Sequence, residues 1–274
     1  MGTFLRCLKY DAGAQKDTMD GVANTGRYLF ATALAGFGLE HFIFMHSPFL
    51  GDVLPYTANG PLSALLIGAI LLAAGLALAS GRGACLAARV LGAALIVDFV
   101  VVHIPRMGGA PRDAAVRGLA FETLSVAAIA LVLAPMVASP RSEAVSRGGL
   151  PGLGTTATSG RYLFGVSLVI FSLMHFMLTS LIASLIPGWM PGHVFLAYFT
   201  GAALVAAGLA IATGKLARLA GILLGVMFLI WIVTLHAPRV AHALTNGDEW
   251  TSLLVAVAMA GGGFILAEAF RGDH

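Results

Sequence analysis

The chain has 274 residues, of which 58% are hydrophobic and 11% charged, and its mean hydropathy is +0.90. Soluble domains carry about a quarter charged residues, so this composition excludes an ordinary soluble globular protein and points to an integral membrane protein. The formal net charge of +3 carries no nucleic-acid reading, because the basic residues are distributed by membrane side.

Residues 1–25 have no long apolar core and no small-residue cleavage site, so they read as a cytoplasmic leader and not as a signal peptide. Arg6 stands where myristoylation of Gly2 would need Ser or Thr. Apolar runs of about 20 residues, the length that crosses the hydrocarbon core as a helix, then follow at 27–46, 61–80, 86–105, 118–138, 160–182, 194–213, 216–237 and 250–268. Small residues within them, as in "GAILLAAGLALASG", suit close helix packing in lipid. The expected fold is an all-α integral membrane protein with eight transmembrane helices. Two broken stretches, 47–61 and 184–193, combine proline, glycine and aromatics, and predict interfacial or re-entrant segments on the outer face.

Three blocks recur in the same order. "TGRYLFATALAGFGLEHF" (25–42) matches "SGRYLFGVSLVIFSLMHF" (159–176), "LAAGLALASG" (72–81) matches "VAAGLAIATG" (205–214), and "VVHIPR" matches "TLHAPR". An offset of 133–134 residues throughout marks a tandem duplication. The units are 26–138 and 159–270, joined by a cytoplasmic linker at 139–158. Each has four spans, an even number, so both face the same way. The expectation is two tandem four-helix bundles related by a pseudo-two-fold axis along the membrane normal.

With eight spans, one side holds twelve Lys and Arg residues and the other only Arg106, Arg112, Arg117 and Arg239. By the positive-inside rule both termini are cytoplasmic. Cys7 and Cys85 fall on that cytoplasmic side, which argues against a structural disulfide or a dithiol oxidase. In "GRYLF" the arginine is expected at the cytoplasmic interface beside an aromatic ring. Asp248 and Glu249 read as solvated loop residues.

Seven of the eight histidines (41, 46, 103, 175, 193, 236 and 242) map to the outer half of the bundle. Ionisable groups are costly in a bilayer and face an interior cavity or a partner. In a four-helix unit His41 is expected near His103, and His175 near His236. Arg106 and Arg239 follow their histidines by three residues, within reach of the same face. Pro105 and Pro238 disrupt the helix there. Glu40, Glu122 and Glu249 border this layer, and Asp98 lies deepest, a carboxyl that must be protonated or paired. Across the duplication Glu40 corresponds to Met174, Asp98 to Trp231 and His46 to Ser180, so the halves have diverged and the first is the more polar.

Three chemistries remain open. Histidines on separate helices could ligate haem iron. A His/Glu cluster could hold a transition metal, although the HExxH and ExxH spacings are absent. His, Arg and a carboxylate around an apolar cavity could hydrogen-bond quinone carbonyls and relay protons, and this fits the pattern best. His103, His236, Arg106, Arg239 and Asp98 are then the candidate catalytic groups, and His41, His175, Glu40, Glu122 and Trp231 line a cofactor site. No metal site is assigned.

At "GRYLF…HF", "PGWMPGH…AYFTGAALVAAGLAI", "LHAPRV" and "DEWT…GGGFILA" the second half resembles the DoxX-like family of four-span membrane proteins. The first half carries "GRYLF", "EHF" and "HIPR" but lacks "EWT". His175, His236, Pro238, Arg239, Glu249 and Trp250 match the pattern. The resemblance implies a quinone-linked subunit of a redox system in the bacterial inner membrane, with other membrane subunits as partners. The alternative is a non-catalytic assembly subunit, favoured by the lack of a nucleophile constellation, a cysteine pair or a phosphate loop. Small-molecule transport is a third class, weakened by the scarcity of broken mid-membrane helices.

Overall fold

The computed structural model describes residues 21–45, 61–138 and 154–270. Among them, every regular element is helical. The helices are α1 (Gly21–Phe44), α2 (Pro61–Ser80), α3 (Ala84–Asp98), α4 (Ile104–Gly109), α5 (Ala114–Val137), α6 (Gly154–Met177), α7 (Thr179–Leu185), α8 (His193–Thr213), α9 (Ala217–Trp231), α10 (Ala237–His242) and α11 (Gly247–Ala269). Two π-helical turns, Phe99–His103 and Ile232–His236, join α3 to α4 and α9 to α10 without a break.

Seven of these rods are long and apolar enough to cross a membrane: α2, α3–α4, α5, α6, α8, α9–α10 and α11. The protein is thus a multi-pass, all-helical membrane protein in type. The first expected span, α1, is not among the seven. Its 24 residues would reach across, but they include Arg27, Glu40 and His41. Glu40 and His41 are buried inside the protein, so α1 carries its polar groups towards neighbouring helices. The outer faces of α2 and α9 instead expose Leu66, Ile70, Leu223 and Ile230, as lipid-facing surface does.

Several boundaries depart from expectation. α1 begins at Gly21, inside the expected leader, and α6 begins at Gly154, inside the expected linker. Thr25 and Thr158 donate their hydroxyls to the carbonyls four residues back, at 2.9 and 3.3 Å, so polar residues continue these helices beyond the apolar run. Of the two broken stretches, 47–60 lies outside the described residues. The other forms the end of α7 and a turn in which His193 Nε2 meets the Pro187 carbonyl at 3.1 Å, and Trp189 is exposed. Cys85 is disulfide-bonded, which the cytoplasmic placement of the cysteines did not lead us to expect. Cys7 lies outside the described residues.

The halves are not self-contained bundles. α1 packs on α2 and on α11, α6 packs on α8 and on α5, and α5 touches α11. Each half therefore borrows the closing helix of the other. α5 and α11 are buried over 72% of their spans, against 17–39% for the other five, so they form the centre. Three successive glycines let α11 occupy it. A Cβ on Gly261 would lie 2.7 Å from the Gly26 carbonyl of α1, one on Gly262 2.5 Å from Ile129 of α5, and one on Gly263 2.7 Å from the Gly221 carbonyl of α9. At Gly261 and Gly263 a side chain would meet the backbone of a neighbouring helix, and at Gly262 it would have to push aside the Ile129 side chain.

Candidate functional site: a cavity closed by both halves

The π turns govern which side chains meet. In an α-helix residues five apart point about 140° away from each other at 100° per residue. The wider π turn brings them onto one face. Its signature bond runs from the Ile104 N–H to the Phe99 carbonyl, and in the second half from the Ala237 N–H to the Ile232 carbonyl. Pro105 and Pro238 follow immediately. A proline ring clashes with the carbonyl four residues back in an α-helix, and the extra residue in the turn relieves that clash.

In the first half the π turn sets His103 over Asp98, with Nε2 to Oδ2 at 3.2 Å. The expected pairing of this deep carboxyl is therefore present. The approach is oblique, and neither Asp98 oxygen receives a hydrogen bond. Nε2 also meets the Thr123 hydroxyl of α5 at 3.2 Å. His41 turns back on its own helix, Nδ1 donating to the Phe37 carbonyl at 2.7 Å, while its Nε2 is buried without a partner. Glu40 accepts a hydrogen bond from Thr251 of α11 at 2.9 Å. The partners of His41 and His103 are thus separate, and these side chains serve the contacts among α1, α3, α5 and α11.

The second half is different. A cavity of about 310 Å³ opens between α6, α7, α8, α9 and α11. His175, His236 and Trp231 line it together with Thr200 and Ser252, within walls of Leu, Ile, Phe, Val and Ala side chains. Its remaining polar group is Glu122, which comes from α5 of the first half. Glu122 precedes Thr123, the partner of His103, so one turn of α5 serves both this wall and the first-half cluster. His175 and His236 share the cavity as expected. His175 donates from Nδ1 to the Phe171 carbonyl at 2.8 Å, whereas His236 Nδ1 has no partner.

Arg239 does not face a free site. It grips Glu249 through Nε and Nη2 at 2.7 and 2.6 Å. The loop reading of Asp248 and Glu249 is corrected accordingly: both lie in the first turn of α11, where the helix dipole favours acids. Asn246 caps that turn by accepting from the Asp248 N–H at 3.0 Å. Arg106 is half-buried on α4. The "GRYLF" arginines do meet aromatics, Arg27 4.8 Å from the Tyr28 ring and Arg161 4.7 Å from the Phe270 ring. Among the described residues no group of three or more His, Cys, Asp or Glu side chains converges as a metal site would require. His46 and His274 lie outside the described residues.

No protein-family model, curated protein or solved structure matches the chain.

Sequence reasoning missed Thr123, Thr200 and Thr251. Each is a buried threonine in an apolar helix, and that is a readable signal because such a hydroxyl needs a partner. It was obscured by the histidines.

Proposed function

We propose that the protein is a quinone-interacting subunit of a membrane redox system, with the cavity between α6 and α9 as its binding site. The observation that carries this is the cavity's composition. Apolar walls suit a lipid-soluble ring, and a few convergent polar groups, His175, His236 and Glu122, can hold ring oxygens. Trp231 supplies a flat face for the ring. Glu122 can pass a proton between a bound ring oxygen and the Asp98–His103 cluster.

In this reading the chain is a tandem duplication of a DoxX-like unit with eight spans, set in a bacterial inner membrane with both termini cytoplasmic and the cavity towards the outer leaflet. Contacts that recur at the duplication offset support it. Gly26 meets Gly261 as Gly160 meets Ala128, and Gly92 meets Leu131 as Gly225 meets Phe264. The two π turns recur at the same offset.

The test is organic extraction of the purified protein followed by mass spectrometry. A stoichiometric quinone in the wild type, lost in a Trp231→Ala, His236→Ala double variant that still folds, is the expected result. Absence of any quinone from the wild type would leave the assembly role as the better reading.

A further inference from the structure

We infer that the cavity selects the reduced, hydroxyl-bearing form of its ring ligand, a quinol, over the oxidised quinone, because His175 presents it with a fixed hydrogen-bond acceptor. This rests on the quinone reading above and adds the redox state that is held.

A backbone carbonyl can only accept, so the 2.8 Å contact between His175 Nδ1 and the Phe171 oxygen places the proton on Nδ1. A neutral imidazole has one such proton, and Nε2 therefore keeps its lone pair. Nδ1 is the nitrogen tied to the helix, and the residue lines the cavity. Turning the ring over would set a C–H against the Phe171 carbonyl and forfeit the bond. The base of the side chain is also confined, since a Cβ on Gly201 of α8 would lie 3.1 Å from the His175 Cβ.

An oxidised quinone offers carbonyl oxygens only. Set against Nε2 it brings two acceptors together, and both lose their water without a replacement bond. A quinol donates an O–H to the same nitrogen. Glu122 accepts in either protonation state, so it can take the second hydroxyl. Neither His236, whose Nδ1 is unpartnered, nor the Thr200 hydroxyl, also unpartnered, is committed to one role, and these two groups do not discriminate. The same backbone bond at His41 leaves its Nε2 sealed in the protein, so the motif alone does not make a site. The cavity beside His175 does.

The experiment uses the full-length protein in lipid nanodiscs under anaerobic conditions. Calorimetric titration would compare 2,3-dimethoxy-5-methyl-6-decyl-1,4-benzoquinone, its two-electron-reduced quinol, and the bis-O-methyl ether of that quinol, which has no O–H. The quinol is expected to bind roughly tenfold tighter than either other compound, the scale of one buried hydrogen bond. His175→Phe should bring the quinol and the quinone to within about twofold of each other. His175→Gln, whose amide oxygen can accept, should restore part of the preference. Equal binding of quinol and quinone, tighter binding of the quinone, or a preference that survives in a folded His175→Phe protein would overturn the inference and leave the cavity reading standing. Should the variants fail to fold, the quinol and its ether in the wild type decide the matter alone. If none of the three compounds binds, the quinone reading itself fails.

Discussion

Glu40 and Thr251 form a hydrogen bond across the centre of the bundle, and at the corresponding place in the other half Met174 lies against Gly118, its Cε 3.6 Å from where a Cβ on that glycine would stand. The protein thus solves one packing problem twice, once with a polar pair and once with an apolar one. Removing one member of the polar pair strands a buried carboxyl, at a cost of about 1–3 kcal/mol. Thr251→Val is therefore expected to lower the thermal unfolding midpoint in detergent, and adding Glu40→Met should recover most of the loss. A double variant no more stable than Thr251→Val would refute this account. Arg239 and Glu249 are a second residue-scale case. Their two-pronged bond is half-exposed, so its coupling should be about 1 kcal/mol in a double-mutant cycle with alanine at each position. Arg239→Lys keeps the charge and loses the fork, and should recover less than half of that coupling.

At the scale of the helix, α11 is defined by its three glycines and the α3–α4 and α9–α10 rods by their π turns. Gly261→Val would drive a branched side chain into the α1 backbone, where strain of about 3 kcal/mol or more is expected. Gly108→Ala meets nothing within 4 Å and should be neutral or stabilising by up to about 1 kcal/mol. Thermal unfolding of both variants tests the contrast, and similar midpoints would argue against close helix approach at Gly261. Most helices were legible as apolar runs, since length and hydropathy are local properties. Their ends were less so, because Thr25 and Thr158 extend helices that the apolar pattern alone would stop. The pairing of Asp98 with His103 was foreseeable as a need, but not as a geometry. A regular helix turns these residues apart, and only the extra residue ahead of Pro105 turns them together.

Taken whole, the molecule is a closed circuit of helices around α5 and α11. The recurring blocks are readable in the sequence, yet which helix each half would close upon was not. Eight apolar runs with similar small-residue faces offer no local mark of their partners, and Gly26 does not announce Gly261. The cavity was hidden for the same reason. Its histidines belong to the second half, while Glu122 arrives from the first. Neither half can then be complete alone. Residues 1–153 or 154–274 expressed singly should be degraded or aggregate, and co-expressed they should recover a complex that purifies as one species. A stable, monodisperse second half on its own would contradict this.

The contact between α1 and α11 also has a consequence in time. Thr251 follows Glu40 by 211 residues. At about 5–20 residues per second, a ribosome takes on the order of 10–40 s to deliver it. Throughout that interval α1 and α2 are already made, but the hydroxyl that Glu40 accepts from in the finished protein is not. The Glu40 carboxyl therefore gains its partner only after α11 has been made.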